Sequence, residues 1–267
     1  MSEPFTTRAD LAADLRRLGL RPGDAVLAHA ALGRVGRLLN GPDALIGALL
    51  DAVGPAGTVL AYTDWDARYD ELLDADGRVP ARWRPHVPPF DAARSRAARE
   101  NGALAEFLRT WPGARRSGSP GASMAALGAG ADRFTADHPL DYGYGPGSPL
   151  ARLVAEGGRV VMIGAPWDTM TLLHHAEHLA DLPAKRVTRY EVPLATADGV
   201  VWRMVEEFDT ARPVVDGLPD DWFADVVTEF VAAGHGTRGR VGAADALLVD
   251  AAAICRFAVD LLERRVR

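Results

Sequence analysis

Apolar residues follow two periodicities in the first sixty residues of the chain. In residues 7–19 they recur at helical spacing and end at a glycine, which predicts a helix with a Gly stop. Short apolar runs at 25–28 and 58–62 each follow a turn that contains Pro and Gly, as buried strands do. Pro42 and Asp43 begin a second helix between these runs. A strand, a helix and a strand with short links predict a parallel crossover unit and therefore an α/β core.

The remaining chain continues this alternation, with two departures from it. Helices are predicted within 99–113, 147–158, 168–182, 221–234 and 243–265, a strand at Arg159–Ile163, and a strand followed by a helix within 123–138. Residues 64–98 mix acids, aromatics and prolines without long periodicity, which is typical of a functional excursion on a rigid core. Residues 186–194 and 200–208 are strand-like insertions. We therefore expect one α/β domain over residues 1–267, with a mixed central sheet flanked by helices and inserted strands.

Composition indicates a soluble protein of a reducing compartment. Hydrophobic residues make up 48% and charged residues 25% of the chain. Its first fifteen residues lack an apolar core, so we expect no secretory signal, and no apolar run reaches the roughly 18 residues of a membrane helix. Cys255 is the single cysteine, which excludes an intrachain disulfide, and its amphipathic surroundings favour a buried structural thiol. These features predict a cytoplasmic protein.

The formal net charge of −6 narrows the choice of partners. A nucleic-acid-binding protein needs a basic face, so we expect no nucleic acid. A mildly acidic protein suits a small cationic substrate through modest, salt-dependent field effects.

The densest group of chemically useful residues lies in 164–178, where a predicted strand ends and a helix begins. Ligands bind beyond the carboxyl ends of strands in α/β sheets. Asp168 or Thr169 is a candidate cap for the helix. Four side chains follow at spacings of one helix face: Thr171, His174, Glu177 and His178. A histidine beside a carboxylate is the usual general-base pair, although a capped amphipathic helix with solvated histidines would show the same letters.

Residues 174–178 also match H-x-x-E-H, the zinc pattern of inverted metallopeptidases. Two histidines at i and i+4 can share a metal, with a third ligand from elsewhere. A zinc-dependent hydrolase is therefore an alternative function.

Two acid-rich segments form a second group of candidates. The first follows the strand at 58–62 and the second follows the strand-like run at 200–205. Their acids and aromatics are Tyr62, Asp64, Trp65, Asp66, Tyr69, Asp70, Glu71, Asp74 and Asp76, then Glu206, Glu207 and Asp209. Carboxylates with aromatic faces suit a polycationic ligand, and a solvated acidic surface is the alternative. Because strand ends can converge on one cleft, we expect the two segments to face each other.

The loop after the first strand, His29 to Gly36, is a candidate for cofactor binding. Its glycines let the backbone approach a ligand, and free amides can receive oxygens. The loop residues singled out are His29, Ala31, Leu32, Gly33, Arg34, Val35 and Gly36. The polar cluster at 115–120, which includes Ser117, could meet a phosphate or a pantetheine amide.

With these segments in view, the chain resembles the aminoglycoside 3-N-acetyltransferases, also called the antibiotic N-acetyltransferases, over about residues 8–262. The matching pieces include RPGDAVLAHAALGRVG, DYGYGPGSPLARLV and VVMIGAPWDTMTLLHHAEHLA. The resemblance implies this family's own α/β fold, distinct from the GNAT acetyltransferases. It also implies acetyl-CoA as co-substrate, no metal, and antibiotic resistance through acetylation of the 3-amino group of a 2-deoxystreptamine aminoglycoside. An acetyltransferase for another amine, or a binding module without catalysis, is the alternative within the fold.

The family's motifs imply roles for particular residues. Its H-x-x-E helix motif falls on His174 and Glu177, and its upstream Asp and Thr fall on Asp168 and Thr171. Its CoA loop falls on residues 29–36, where Ala31 replaces a frequent serine. We expect His174 to deprotonate the amine, Glu177 or another acid to orient it, and Thr171 or backbone amides to stabilise the oxyanion. The acids of both segments would hold the remaining ammonium groups, with Tyr62 and Trp65 against the sugar rings. No membrane partner is expected, and the resemblance allows a monomer or a homodimer.

Overall fold

The computed structural model describes residues 5–266. Its strands are β1 Ala25–Ala30, β2 Thr58–Tyr62, β3 Arg115–Arg116, β4 Met124–Gly128, β5 Arg159–Ile163, β6 Val187–Thr196, β7 Gly199–Phe208, β8 Thr237–Val241 and β9 Ala244–Asp250. Its α-helices are α1 Arg8–Leu18, α2 Leu32–Val35, α3 Pro42–Val53, α4 Gly102–Arg109, α5 Ala131–Thr135, α6 Pro149–Ala155, α7 Leu172–Leu179, α8 Trp222–Ala232 and α9 Ala251–Val266. Short 3-10 turns include Asp70–Leu72, Arg84–His86 and Trp167–Thr169.

Seven strands form a mixed central sheet in the order β3-β4-β2-β1-β5-β9-β8. The three inner strands β2, β1 and β5 are parallel, and β4 and β9 join them antiparallel on either side. The parallel crossover expected from the first sixty residues is therefore confirmed. Strands β6 and β7 pair with each other as a separate two-stranded antiparallel sheet, and in residues 5–266 neither joins the central sheet. The predicted mixed sheet with inserted strands is also confirmed.

Alternate residues of β1 face two separate layers of helices, because side chains of a strand alternate between its faces. Val26 and Ala28 pack into a core with residues of α1, α3 and α4. Leu27 packs on the other face, into a core with residues of α6, α7, α8 and α9. The central sheet is therefore covered on both sides, and α7 lies on the Leu27 face.

The helix termini follow the sequence signals. Thr7 caps α1, since its Oγ1 accepts from the Asp10 amide while the Asp10 carboxylate accepts from the Thr7 amide. Gly19, with φ of 119°, ends the helix in the left-handed region. Pro42 lies in the first turn of α3, as expected.

The helix expected over 243–265 is wrong in its first third. Residues 244–250 form β9, and α9 begins only at Ala251. The apolar run Ala246–Val249 is buried within the sheet, and periodicity cannot distinguish such a run from a buried helix segment. The preceding strand β8 was not predicted either, because its residues 237–240 are exposed at the edge of the sheet.

The excursion at 64–98 packs against the β6–β7 hairpin through one buried carboxylate. Glu191 of β6 receives two hydrogen bonds from Arg84 Nη2, at 2.8 and 2.6 Å, and one from Arg78 at 3.0 Å. The amide of Val79 also donates to it at 3.1 Å, and Phe90 bridges to Leu194. The excursion and the hairpin therefore form one unit beside the central sheet.

In the described range 5–266, no helix is both long and apolar enough to cross a membrane. The cytoplasmic compartment remains a prediction, and so does the extent of the single domain over residues 1–267. The first four residues, part of the segment in which no secretory signal is expected, lie outside the described range.

Candidate active site

The turn after β5 places a histidine–carboxylate pair beyond the carboxyl end of this strand. Gly164 follows the strand with φ of 63°, and a Cβ there would lie 3.0 Å from Cβ of Arg34. The chain then passes through the 3-10 turn at 167–169 and enters α7. On this helix His174 Nδ1 lies 2.8 Å from Glu177 Oε2. Glu177 is therefore the carboxylate in contact with His174, whereas Asp168 is exposed in the turn and lines the rim of the adjoining cavity.

Neither Asp168 nor Thr169 caps α7, contrary to the sequence prediction. Thr171 occupies the N-cap, and the Thr169 hydroxyl donates to Pro166 O at 2.7 Å. Asp168 and Thr169 lie in the 3-10 turn that precedes the helix, so Thr171 is the residue at the helix start, beside His174.

The imidazole of His174 lies between two aromatic rings. Its centroid is 4.9 Å from that of Tyr144 and 4.8 Å from that of Phe223. Its side chain is 21% exposed, whereas that of Glu177 is 5% exposed. The pair is thus fixed on three sides and open on one. Sequence reasoning missed Tyr144 and Phe223, which come from the 138–147 loop and from α8, far from His174 in the chain.

A cavity of about 380 Å³ opens on that free side. Several of its lining residues have a small side chain or none: Ala28, Ala30, Ala31, Gly102, Ala105 and Ala165. His174, Thr171, Tyr62 and His29 also line it. Burial lowers the pKa of His29 to about 4, and no described residue supplies a hydrogen-bond partner for its Nε2. His29 is therefore neutral near pH 7.

A pair of tyrosines separates this cavity from a second one. The hydroxyls of Tyr62 and Tyr144 lie 2.5 Å apart, and Gly121 O lies 3.1 and 2.9 Å from them. Because each hydroxyl has one proton, one hydroxyl donates to the other, which in turn donates to Gly121 O. Tyr62 lines both cavities. The two tyrosines therefore form a wall between the cavities, with His174 on one side and Tyr62 at the boundary that both cavities share.

The second cavity, of about 570 Å³, is acidic and aromatic. Its carboxylates come from both predicted segments: Asp64, Asp70, Asp74 and Asp209. Its rings are those of Tyr62, Trp65, Tyr69, Tyr144 and Tyr190. Residues of both acid-rich segments therefore line one cavity, as expected. Tyr144 and Tyr190 also line it and were not among the candidates from the sequence.

Asp64 has an unusual backbone in this cavity. Its φ of 48° lies in the left-handed region, and its carbonyl accepts from Arg116 and from Ser123 Oγ. Its carboxylate accepts from the Trp65 amide at 2.7 Å, and burial raises its pKa to about 7. The carboxyl group is therefore held in place and only partly ionised near neutral pH.

Three predicted substrate acids lie outside this cavity. Asp66 forms ion pairs with Arg68 and Arg99 in a neighbouring depression. Glu206 accepts from Tyr142 and Arg189. Glu207 lies on the opposite side of β7, buried, with Oε1 3.0 Å from His178 Nε2. Successive side chains of a strand point to opposite faces, which is why this run of acids is divided.

The predicted CoA loop is divided in a similar way. Ala31 and His29 line the first cavity, whereas Val35 is fully buried in the core and Arg34 donates to Gly164 O at 2.9 Å. Leu32, Gly33 and Gly36 lie in α2 and at its end, outside the residues that line that cavity. The 29–31 strand end is therefore the part of the loop that adjoins His174.

Ser117 is buried away from both cavities. Its Oγ accepts from the Met124 amide at 2.9 Å and lies 2.8 Å from His138 Nδ1. His138 Nε2 lies 2.6 Å from Gly143 O and must carry the proton, since a carbonyl only accepts. Ser117 therefore supports the loop that carries Tyr142 and Tyr144, instead of meeting a ligand.

This arrangement predicts loss of stability in acid. Burial lowers the pKa of His138 from 6.5 to about 4, so the unfolded chain takes up a proton below pH 6.5 that the folded chain refuses until about pH 4. The stabilisation is complete above pH 6.5 and is lost as the pH falls towards 4, by about 3 kcal/mol. Urea unfolding at pH 7.5 and 5.0 should show a smaller pH effect in His138→Gln than in the wild type. The same change at exposed His235 should leave the pH effect as it is; equal slopes in all three proteins would contradict the prediction.

The H-x-x-E-H pattern is divided between two pairs, His174 with Glu177 and His178 with Glu207. Among the residues that the structure describes, no group of three or more His, Cys, Asp or Glu side chains is arranged to hold a metal. The geometry therefore favours a general base over a metal ligand at His174.

Comparison with known proteins identifies the family. Residues 27–263 match the family described as aminoglycoside 3-N-acetyltransferase. The chain belongs to this family. It is 47% identical over 260 residues to the aminoglycoside N(3)-acetyltransferase III of Pseudomonas aeruginosa, covering 97% of this chain and 94% of that one. The predicted acyltransferase class is thereby confirmed, and the zinc hydrolase alternative is wrong.

Solved structures of the aminoglycoside 3-N-acetyltransferase family share the fold. The structure named AAC-IIIb binary with CoASH is 65% identical, with a TM-score of 0.98 and 98% coverage of both chains. Sisomicin-bound AAC-VIa is 37% identical, with a TM-score of 0.93, covering 99% of this chain and 100% of that one. The predicted family fold is confirmed, and coenzyme A in the first of these structures confirms acetyl-CoA as the co-substrate expected of this family. The oligomeric state and the individual site residues remain predictions.

Proposed function

We propose that this chain confers antibiotic resistance by acetylating the 3-amino group of a 2-deoxystreptamine aminoglycoside, with His174 as general base. The observation that carries this proposal is the 2.8 Å contact of His174 Nδ1 with Glu177, beside an open cavity. A carboxylate only accepts hydrogen bonds, so Nδ1 carries the proton and Nε2 keeps its lone pair. Nε2 is thus the atom that takes a proton from the acceptor amine.

The acetyl donor supplies an activated thioester, so no covalent acyl-enzyme is needed. The ammonium group first loses one proton to solvent by way of His174, which frees the amine lone pair. The amine nitrogen then bonds to the acetyl carbon while His174 takes a second proton from it, the C–S bond breaks, and His174 passes that proton to the leaving sulfur. Thr171, at the helix start on the same cavity, is placed to stabilise the carbonyl oxygen as its charge develops.

The first cavity suits the narrow arm of a coenzyme A thioester. Its small lining residues leave room for a chain of amides and methylenes, and the edge of β1 at 29–31 offers backbone groups to such amides. These features support the assignment of the donor to this side of the tyrosine wall.

The second cavity suits the other substrate. An aminoglycoside carries several ammonium groups, of which one reacts, and the remainder need fixed carboxylates. Asp64, Asp70, Asp74 and Asp209 supply these, and the tyrosine and tryptophan rings offer faces to sugar rings. The reactive amine would reach His174 past Tyr62, the residue that both cavities share.

A thiol-release assay with acetyl-CoA and a panel of aminoglycosides tests the proposal. We expect turnover with 2-deoxystreptamine compounds and, by NMR of the product, acetylation at the 3-amino group. Turnover only with other amines would favour the alternative acetyltransferase, and acetyl-CoA binding without turnover would favour a binding module.

Among the acids, Asp64 should hold the aminoglycoside. Asp64→Asn should raise the aminoglycoside KM about 10- to 100-fold, since a charge-assisted bond in a buried site contributes roughly 1.5–3 kcal/mol. Asparagine tolerates the left-handed backbone, so folding should persist. Asp66→Asn is the matched control, because Asp66 pairs with arginines outside the cavity. Equal KM values in wild type and Asp64→Asn, at low salt, would remove Asp64 from the site.

Metal removal should have no effect. The thioester is already activated and both histidines of the H-x-x-E-H pattern face carboxylates, so we expect dialysis against a chelator to leave acetyl transfer unchanged. Stoichiometric zinc in the purified protein, with activity lost when it is removed, would contradict the mechanism.

A further inference from the structure

Helix α7 carries a second histidine–carboxylate pair, one turn after the first. His178 Nε2 lies 3.0 Å from Glu207 Oε1, and the two side chains are 4% and 8% exposed. The ring N–H does not point along the line to this oxygen, so the contact is an ion pair or dipole contact and not an aligned hydrogen bond. The proposed reaction uses neither residue, and burying such groups is costly unless they are paired.

The ring of His178 is packed between residues of neighbouring segments. Its ring lies 4.6 Å from that of Phe208 and 5.9 Å from that of Tyr142. A Cβ added at Gly145 would lie 2.8 Å from its Nδ1, so the ring has no space to shift towards that loop. Lys185 Nζ donates to the carbonyl of His178 at 3.1 Å and lies over the Phe208 ring.

Glu207 belongs to the hairpin that forms one wall of the acidic cavity. Asp209, two residues further on, lines that cavity, and so does Tyr190, which pairs with Val205 across the hairpin. Within residues 5–266 the hairpin pairs with no strand of the central sheet, and it is held by contacts with the excursion and with the 138–147 loop, where the Tyr142 amide donates to Glu206 O at 2.8 Å. The Glu207–His178 contact is a buried tie that reaches the helix of His174.

We propose that His178 and Glu207 are positioning residues. They set the distance between the base His174 and the β6–β7 hairpin, which forms one side of the acidic cavity proposed to hold the aminoglycoside. The inference rests on the proposed function. His174 and His178 are one helical turn apart and therefore move together, so a shift at Glu207 moves the acceptor amine relative to the base. Transfer of a group between two bound substrates is sensitive to misplacement on the scale of 1 Å.

The test separates positioning from stability with paired substitutions. His178→Phe keeps a ring among the aromatics but leaves the buried Glu207 carboxylate with only the Phe208 amide, at 2.8 Å, among the partners described above, so its Tm should fall. The double variant His178→Phe with Glu207→Leu removes both polar partners, and its Tm should return towards the wild-type value. If the pair only stabilises, the kinetics of the double variant should recover as well.

We expect that they do not recover. The double variant should keep the wild-type KM for acetyl-CoA, while kcat/KM for the aminoglycoside stays on the order of 10- to 100-fold lower. Glu207→Asp, which keeps the charge and shortens the tie, should fold normally and raise the aminoglycoside KM, and this gives the test if the double variant fails to fold. Glu156→Gln, which breaks the exposed Arg133–Glu156 pair, is the control and should change neither substrate's kinetics.

Two results overturn the inference. One is a double variant with both Tm and kcat/KM at wild-type values, and the other is Glu207→Asp with normal Tm and an unchanged aminoglycoside KM. Failure of the proposed function is distinguishable, because then the wild type itself would not acetylate an aminoglycoside, or His174→Ala would retain turnover.

Discussion

Replacing His174 by alanine should lower kcat by on the order of 10²–10⁴, the usual loss when a general base is removed. The acceptor amine is largely protonated at pH 7, and Nε2 is the nitrogen of His174 whose lone pair the Glu177 contact leaves available, in a residue that lines the cavity. Without His174, water has to accept the proton of the acceptor amine, and no positioned base replaces the imidazole. Acetyl-CoA binding should persist, because the thioester cavity is lined mostly by other residues.

Steady-state kinetics and acetyl-CoA titration measure both expectations. Glu177→Gln is the matched variant, since glutamine still presents an acceptor oxygen to Nδ1 but does not stabilise the imidazolium charge. Its kcat should fall less than that of His174→Ala. Near-normal turnover in His174→Ala would exclude His174 as the base, and equal losses in both variants would make the charge of Glu177 as important as the base itself.

Replacing Glu191 by alanine should lower the free energy of unfolding by about 3 kcal/mol. Removing one partner of a buried ion pair typically costs 3–5 kcal/mol. The lower end applies here because Arg78 and Arg84, at 58% and 34% exposure, can regain water once Glu191 is lost. The amide of Val79 would also lose its acceptor.

Urea unfolding measures the loss, with Glu156→Gln as the exposed-pair control, expected to change stability by less than about 1 kcal/mol. The aminoglycoside KM of Glu191→Ala should also rise, because the excursion that Glu191 holds carries Asp70 and Asp74 of the acidic cavity. An Ala variant as stable as the control would mean that aromatic packing and the backbone hydrogen bonds of Phe90 with β6 are sufficient to hold the excursion.

Local patterns predicted the elements whose signals lie within a few residues. The Gly stop of α1 and the apolar runs of β1, β2 and β5 all fell at or near the observed bounds. Strand β9 was mistaken for helix because a run buried on both faces has no period to read. Pairing of β9 with β5 is a long-range contact, and nothing in residues 244–250 alone records it.

The site divides along the same line. The contact of His174 with Glu177 follows from their three-residue spacing on one helix and was predictable. The rings of Tyr144 and Phe223, which hold His174 in place, come from distant segments and carried no local signal. The acids at 206–207 show a third case, since the alternation of strand side chains would have predicted that only one of them faces inward.

The excursion and the hairpin lie beside the seven-stranded sheet and contribute no strand to it, which bears on how this enzyme can change. The base stands on α7, which packs on the sheet, whereas most of the acidic wall stands on residues 64–98 and 187–211, joined to each other through Glu191. Substitutions in that unit should reshape the acidic cavity, which we propose holds the aminoglycoside, without repacking the core beneath α7. A library of variants confined to those two segments should therefore yield altered aminoglycoside preferences at little loss of folded protein.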